Sequence, residues 1–420
     1  MILRKEMLRD GLIVPLKEVP PTNLPRAPSY KTIPQIQIKP INVHPMAPTA
    51  LFSPLVLGDH TLKNRITMSA LTRNRAVDTY PTDLMVEYYV QRASAGLIVT
   101  EGVLIARQGT EWPNAPGIWD EKHISSWKTI VDAVHAAGSK IYAQLWHVGR
   151  VAHPDAPEQI LAGTPVWAPS AISARGGRFR HIPGEPGYVT PIAIPDPTVI
   201  IEQFKQAAIN AKKAGFDGVE LHGANGYIVN QFLDSTANQR TDQWGGSVEN
   251  RARFGLEILK GLVEVFGSNV AVKLSPCGGY NDVGMPLQEA LNTYSYFITE
   301  ADKLNLAYFA LLRYHPFFDI EIDGKHRGTK MDVLESFRPY VKNAKLIINS
   351  NVTPEEGEEL VVAGKVDAIA IGFNYITHPD LVERVKAGKP LDNQADWGHM
   401  QTNKNSDDWA TGYTDYPRAT

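Results

Sequence analysis

The sequence predicts a single (β/α)8 TIM barrel, and three observations support this prediction. Eight short apolar runs alternate with stretches of helical periodicity between residues 65 and 371. Such an alternation is typical of a parallel sheet covered by helices, and the span is close to the length that one barrel occupies. Polar side chains also gather directly after several of the runs, where barrels of this class place their chemistry.

Composition places the chain among ordinary globular proteins. Of its 420 residues 43% are hydrophobic, and 42 basic residues face 45 acidic ones, a net charge of −3. This balance provides no strongly positive electrostatic potential that would attract nucleic acid or an anionic membrane. No apolar run reaches the length of a transmembrane helix. The single cysteine, Cys277, excludes an intramolecular disulfide and a multi-cysteine metal site. We therefore expect a cytoplasmic protein without a metal site. Its oligomeric state, monomer or homodimer, is not determined by the sequence.

The first 48 residues differ from the remainder of the chain. They contain nine prolines, a density that interrupts helix and sheet alike, so the sequence predicts a flexible or surface-draped extension. Residues 49–420 predict one barrel domain. At its start, residues 51–65 predict two short strands joined by a glycine turn, a hairpin that plugs the barrel floor.

The barrel elements follow in order from hydrophobic periodicity. Strands are predicted over residues 65–69, 96–102, 140–147, 218–221, 270–275, 307–312, 345–349 and 367–371. Helices are predicted over residues 82–95, 124–137, 197–214, 249–265, 286–304, 331–341 and 354–363. Residues 150–195 are rich in Pro, Gly, Ala and Arg, which predicts a long excursion capping the barrel mouth. Residues from 387 onward are polar and predict loops that fold back over the barrel.

Candidate site residues lie at the carboxyl ends of the predicted strands. They are Thr72, Gly102, Gln144, Trp146, His222, Asn225 and, within the fifth strand, Lys273. Each residue alone fits a structural role, since a strand Gln commonly faces the pleat and a Trp is usually core. In a barrel, however, these strand ends converge on one mouth. Their shared placement therefore favours a functional site.

The densest cluster of polar residues is in residues 219–254. His222 and Asn225 lie within one turn of each other, and Tyr227 follows two residues later. Such a trio can hold an anionic oxygen and supply a proton beside it. The alternative is a polar turn whose side chains bind local backbone groups. More than thirty consecutive positions here, including Asn238, Arg240, Trp244 and Arg251, resemble the Old Yellow Enzyme family of flavin-dependent ene-reductases.

The resemblance covers about residues 51–417 and implies a bound FMN. It implies that Gln144 binds the pyrimidine edge of the flavin, that Lys273 places a positive charge near N1 and O2, and that Thr72 donates to O4. The remaining residues implied to bind the cofactor are Ser69, Gly102, Asn351, Gly372 and Phe373. No Gly-x-Gly-x-x-Gly motif follows a predicted strand, so a separate dinucleotide domain is not predicted.

The resemblance also implies a two-step reaction at one site. NADPH reduces FMN and leaves, and an α,β-unsaturated carbonyl compound then takes its place. His222 and Asn225 grip the carbonyl oxygen, Trp146 contacts the substrate, hydride passes from FMN to the β-carbon, and Tyr227 protonates the α-carbon. The expected function is therefore reduction of a conjugated C=C bond by a ping-pong mechanism.

Three positions depart from the family pattern. Lys273 stands where the family usually has Arg, Ala70 where it often has Pro, and Phe373 where an Arg binds the FMN phosphate. Loss of that guanidinium removes a charge-assisted, bidentate contact. Phe373 and Lys273 motivate one alternative, a flavin-assisted isomerase or tailoring enzyme of specialised metabolism on the same scaffold. A separate alternative is a non-catalytic barrel that binds a small molecule or a partner protein through its Pro-rich arm.

Overall fold

The computed structural model describes residues 49–175, 189–401 and 408–419, and it contains the predicted barrel. Eight parallel strands close on themselves in chain order, each pairing with the next and the last with the first. The strands are β1 Ile66–Met68, β2 Leu97–Leu104, β3 Lys140–Trp146, β4 Gly218–Gly223, β5 Val270–Leu274, β6 Tyr308–Leu312, β7 Lys345–Asn349 and β8 Ala368–Ile371. The predicted fold class is thus confirmed. The predicted 1–48 extension lies outside the described residues.

The helices between the strands follow the predicted order. They are α1 Asp83–Gln91, α2 Glu121–Ala136, α3 Thr198–Lys213, α4 Val248–Phe266, α5 Leu287–Asp302, α6 Val333–Phe337 and α7 Pro354–Val362. The single helix predicted over 331–341 is wrong, because α6 gives way to a 3-10 turn at Arg338–Tyr340. Pro339 explains the change, since it has no N–H to continue the α-helical ladder.

Three short helices that were not predicted lie after the ends of β4 and β8. They are Ile228–Leu233 after β4, and Phe373–Thr377 and Leu381–Lys386 after β8. Each has only five or six residues, too few for helical periodicity to separate it from a buried strand.

The barrel is closed from below by the predicted hairpin. Strands Leu55–Leu57 and His60–Leu62 pair antiparallel on either side of a turn that contains Gly58. The φ of Gly58 is 55°, a left-handed conformation that glycine adopts without steric strain. Leu57 and Leu62 pack with Tyr142 and with other inward-facing strand residues. A second, larger core lies between the outer faces of the strands and the helices. The barrel interior is therefore filled from its floor, which leaves the opposite end for a site.

Strand β4 is longer than the sequence predicted, and this changes the position of His222. Pairing with β5 continues through His222, opposite Lys273, to Gly223. A Cβ at Gly223 would lie 2.9 Å from the Lys273 carbonyl oxygen, so the absence of a side chain permits this close approach. His222 therefore belongs to the strand instead of following it, with a backbone fixed by the sheet.

Loops cover the mouth of the barrel. The excursion after β3 contains the helix Pro157–Ala162 and a short parallel pairing of Trp167–Ala168 with Ile192–Ala193, and its residues 176–188 lie outside the described part. The tail folds back over the barrel, where Arg73 Nε donates to the Met400 carbonyl oxygen at 2.8 Å. Among the described residues, no helix has the length and apolar character needed to cross a bilayer, and no group of three His, Cys, Asp or Glu side chains is arranged to bind a metal.

Candidate active site

Two adjoining cavities open at the carboxyl ends of the strands. The first, called the polar cavity below, is lined by Thr72, Gln144, Trp146, His222, Tyr227 and neighbouring residues. The second, called the loop cavity, is lined by Ser69, Asn351, Gly372 and the loops after β6, β7 and β8. The two cavities share six lining residues, namely Ala70, Leu71, Asn225, Lys273, Phe318 and Phe373. They therefore form one continuous cleft.

His222 is held as a neutral hydrogen-bond donor. Its Nδ1 accepts the backbone N–H of Ala224 at 3.4 Å, which leaves the ring proton on Nε2. Burial, and then the positive charge of Lys273, lower the pKa of His222 well below its usual value. An uncharged imidazole that donates from Nε2 can bind a carbonyl oxygen in the polar cavity.

Asn225 is presented by a rigid turn. Its φ is 59°, in the left-handed region that Asn tolerates better than most residues. Its N–H donates to Ser275 Oγ at 2.8 Å, and its carbonyl oxygen accepts from Asn281 Nδ2 at 2.9 Å. At the next residue, a Cβ on Gly226 would lie 2.7 Å from the Tyr280 carbonyl oxygen. The turn is thus fixed from both sides with the Asn225 side chain at the junction of the two cavities.

Tyr227 closes the aromatic side of the polar cavity. It precedes the helix Ile228–Leu233, and the residue is 7% exposed. The ring meets Trp146 edge to face, with centroids 5.0 Å apart and planes at 79°. The structure thus brings together His222, Asn225 and Tyr227, as well as Gln144 and Trp146, which the sequence predicted to share one mouth.

A buried polar network lies under the cavities. Lys273 Nζ donates to Ser69 Oγ at 2.9 Å, and Ser69 Oγ donates to Asn349 Oδ1 at 3.3 Å. Burial lowers the pKa of Lys273, and the charge of Glu220 opposes this shift. A cation held in this way at the junction of the cavities attracts an anionic ligand from both.

Sequence reasoning missed Glu220. This residue is 2% exposed and accepts a hydrogen bond from Gln144 Nε2 at 2.7 Å. One signal was available, because strand side chains alternate and residue 220 lies on the same face of β4 as His222. An acidic residue inside an otherwise apolar strand indicated a buried partner.

The loop cavity has few cationic groups in its lining. Among the described residues, Lys273 and His315 are its basic side chains, and burial lowers the pKa of His315. Arg313 lies close by, but it donates to the carbonyl oxygens of Ser350 and Asn351 and forms an ion pair with Glu356. The guanidinium therefore supports the loop backbone and is compensated by a carboxylate.

Phe373 stands at the junction of the two cavities. Its ring is stacked on Phe318, with centroids 6.1 Å apart and planes at 8°, and the residue is 40% exposed. The ring centroids of Phe317 and Trp397 lie 6.2 and 6.0 Å from the centroid of the Phe373 ring. The position that the family pattern gives to a phosphate-binding Arg is thus part of an aromatic cluster.

Gly102 occupies a different place from the other predicted residues. It pairs with Gln144 across β2 and β3, beside an irregularity in the ladder after Val99. A Cβ there would lie 2.5 Å from Trp146 Cε3. Gly102 packs against the indole and is not among the residues that line either cavity. Its predicted contact with a cofactor stays a prediction.

Comparison with known proteins identifies the family. Residues 50–392 match the family described as NADH:flavin oxidoreductase / NADH oxidase. The solved structure of an old yellow enzyme homologue from Zymomonas mobilis superposes with a TM-score of 0.78 at 33% identity, covering 88% of this chain and 99% of that one. The chain belongs to the Old Yellow Enzyme family. It is accordingly an FMN-dependent flavin oxidoreductase.

Relatives of this Old Yellow Enzyme family member carry different descriptions. The chain is 34% identical over 384 residues to 12-oxophytodienoate reductase 7 of Oryza sativa subsp. japonica, covering 87% of this chain and 94% of the relative. It is 36% identical over 365 residues to the probable inactive reductase easA of Epichloe festucae var. lolii, covering 82% and 90%. Membership of the family therefore leaves the reaction to be argued from the site.

Proposed function

We propose that this protein reduces the C=C bond of α,β-unsaturated carbonyl compounds with NADPH through bound FMN. The observation that carries the proposal is that a neutral His222, Asn225 and Tyr227 line the same polar cavity as Gln144. The first two provide donors for a carbonyl oxygen, and the third provides a hydroxyl near them that can donate a proton. The description of a relative as a 12-oxophytodienoate reductase agrees with an oxo compound as substrate.

The donor set of the cleft fits the flavin ring. A flavin has a pyrimidine edge of alternating donors and acceptors and a tricyclic ring that carries negative charge when it is reduced. Gln144 supplies an amide and Thr72 a hydroxyl in the polar cavity, and Lys273 supplies a buried cation beside Ser69. These four residues would hold the ring. The backbone at Asn351 and Gly372, which lines the loop cavity, would hold the ribityl phosphate.

Bound FMN supplies a hydride, which it receives from the nicotinamide donor. His222 and Asn225 bind the substrate oxygen and stabilise the negative charge that develops there as the β-carbon accepts the hydride. Because His222 is neutral, it stabilises this charge by hydrogen bonding and keeps its own proton. Tyr227 then donates its proton to the α-carbon. Trp146 and Tyr227, which meet edge to face, shield this part of the cavity from water.

NADPH is the proposed donor, and the enone is the proposed oxidant. The family description names NADH, so both nicotinamides must be compared. The donor and the enone would occupy the polar cavity in turn, which gives ping-pong kinetics. The small-molecule substrate is the partner we propose, and monomer and homodimer both fit this scheme.

The test uses the full chain with bound FMN. The visible flavin absorption is expected to bleach anaerobically on addition of NADPH and to return on addition of 2-cyclohexen-1-one, with formation of cyclohexanone. NADH is compared at the same concentration. A protein that binds FMN and is bleached, but is not reoxidised by enones of several sizes, would contradict enone reduction and favour the isomerase alternative. Failure to bind FMN would contradict the proposal as a whole.

A further inference from the structure

A buried carboxylate that the proposed reaction does not use lies next to the polar cavity. Glu220 on β4 accepts Gln144 Nε2 on Oε1 and the Tyr308 hydroxyl on Oε2, each at 2.7 Å. Gln144 lines the cavity and is the register partner of Glu220 across β3 and β4. The carboxylate therefore joins a residue of the site to the interior of the barrel.

The contact between Glu220 and Gln144 determines which way the amide is turned. A primary amide presents a donor nitrogen on one side and an acceptor oxygen on the other, and rotation by 180° exchanges them. An ionised carboxylate only accepts hydrogen bonds, so it selects the orientation with Nε2 toward Glu220. The Gln144 Oε1 atom and the second N–H are then left for the cavity.

Charge nearby supports the ionised form of Glu220. Burial raises the pKa of this carboxyl group, while Lys273 and the hydrogen bonds from Tyr308 and Gln144 oppose the rise. In return, the charge of Glu220 opposes the lowering of the pKa of Lys273 by burial. The charge of each residue thus opposes part of the shift that burial causes in the pKa of the other.

We propose that Glu220 is a positioning residue that orients Gln144 so that its Oε1 accepts the imide N–H of the flavin ring. Glu220 also offsets part of the positive charge that Lys273 brings to the ring. The inference rests on the proposed function only in requiring FMN to bind in the polar cavity. Glu220 would act on the cofactor through the Gln144 side chain.

The first test is a double-mutant cycle on FMN affinity. Glu220→Gln has the same shape but can donate or accept, so it releases the orientation of Gln144. We expect it to weaken FMN binding to the apoprotein about tenfold, the value of a hydrogen bond in a charged network. In a Gln144→Ala background the same change is expected to alter affinity by less than about twofold, the limit of additive behaviour. Equal losses in both backgrounds would overturn the proposal.

The second test is the midpoint potential of bound FMN, a property that a merely structural role would not shift in a fixed direction. Removal of the carboxylate leaves the Lys273 charge uncompensated, and reduced flavin is anionic. The potential of the Glu220→Gln holoenzyme is therefore expected to be more positive than that of the wild type. An unchanged or more negative potential would overturn the charge part of the proposal.

Two further measurements keep the outcome interpretable. If Glu220→Gln does not fold, Glu220→Met removes the carboxylate at similar volume, a replacement that a buried charge often tolerates, and it enters the same cycle. Thermal unfolding of each apoprotein reports folding separately from FMN affinity. A wild-type protein that binds no FMN would contradict the proposed function, whereas a wild type that binds FMN with additive losses would contradict the role of Glu220 alone.

Discussion

The rings of His222 and Tyr227 meet edge to face, with centroids 4.9 Å apart and planes at 79°. This contact places the proposed oxygen-binding imidazole beside the proposed proton donor. The backbones of both residues are fixed, His222 within β4 and Tyr227 immediately before the helix Ile228–Leu233. The geometry of the proposed proton transfer is therefore set by secondary structure.

Tyr227→Phe is expected to separate the two halves of the reaction. Reoxidation of the flavin by an enone should slow by about 10²-fold or more, the usual contribution of a general acid. Anaerobic reduction by NADPH should keep its rate, since that step takes no proton from Tyr227. Stopped-flow absorbance measures both. Tyr280→Phe, a change in the same cavity, is the matched control and should retain both rates. Equal slowing of the two half-reactions in Tyr227→Phe would contradict the assignment.

Much of this architecture was predictable because it follows from the hydrophobic periodicity of individual sequence segments. Strand β7 was predicted with its observed bounds, since Lys345–Asn349 is an apolar run between turn residues. The end of β4 was not predicted correctly, because His222 and Gly223 interrupt the apolar run. They belong to the strand only through pairing with Lys273 and Leu274. Local periodicity reports burial along one element, whereas pairing depends on a neighbour far away in sequence.

The site was predictable to a similar degree. Strand ends brought Gln144 and His222 to one cavity, as the barrel topology requires. The sequence also marked Phe373 as a departure, but it did not reveal the stacking on Phe318 or the ion pair that engages Arg313. Those contacts join residues from different loops, and nothing in the spacing of either loop encodes them.

Phe373→Arg is expected to increase selectivity for the phosphate of FMN. The loop cavity has few cations in its described lining, and Arg313 is compensated by Glu356, so an added guanidinium supplies a new charge-assisted contact. FMN binding should tighten about tenfold, while riboflavin, which lacks the phosphate, should bind as before. Quenching of flavin fluorescence measures both affinities. Phe373→Met is the uncharged control. Equal tightening of the two flavins would contradict phosphate recognition at this position.

The buried His147 is expected to make stability dependent on pH. Burial lowers its pKa to about 3, below the value of about 6.5 for an unfolded histidine. Between these values the unfolded state binds more protons, so stability falls as the pH drops below about 6.5. His147→Gln should reduce the loss of unfolding free energy between pH 7 and pH 5 by about 2 kcal/mol. Urea unfolding at both pH values measures this difference. The exposed His326→Gln is the control, and an equal reduction there would contradict the assignment.

Two glycine substitutions are expected to act in opposite directions. Gly102→Ala places a Cβ 2.5 Å from the Trp146 ring, which must move, and overpacking of this kind costs about 1–3 kcal/mol. Gly261→Ala, inside α4, meets its nearest atom at 3.6 Å and should stabilise the helix by up to about 1 kcal/mol. Thermal unfolding of the two apoproteins measures both changes in stability, the expected loss for Gly102→Ala and the expected gain for Gly261→Ala. Because Trp146 lines the polar cavity, Gly102→Ala should also weaken FMN binding, whereas Gly261→Ala should not. A Gly102→Ala protein with wild-type stability and FMN affinity would show that the Trp146 indole can shift freely. That result would contradict the expectation that Trp146 is held rigidly beside the cavity.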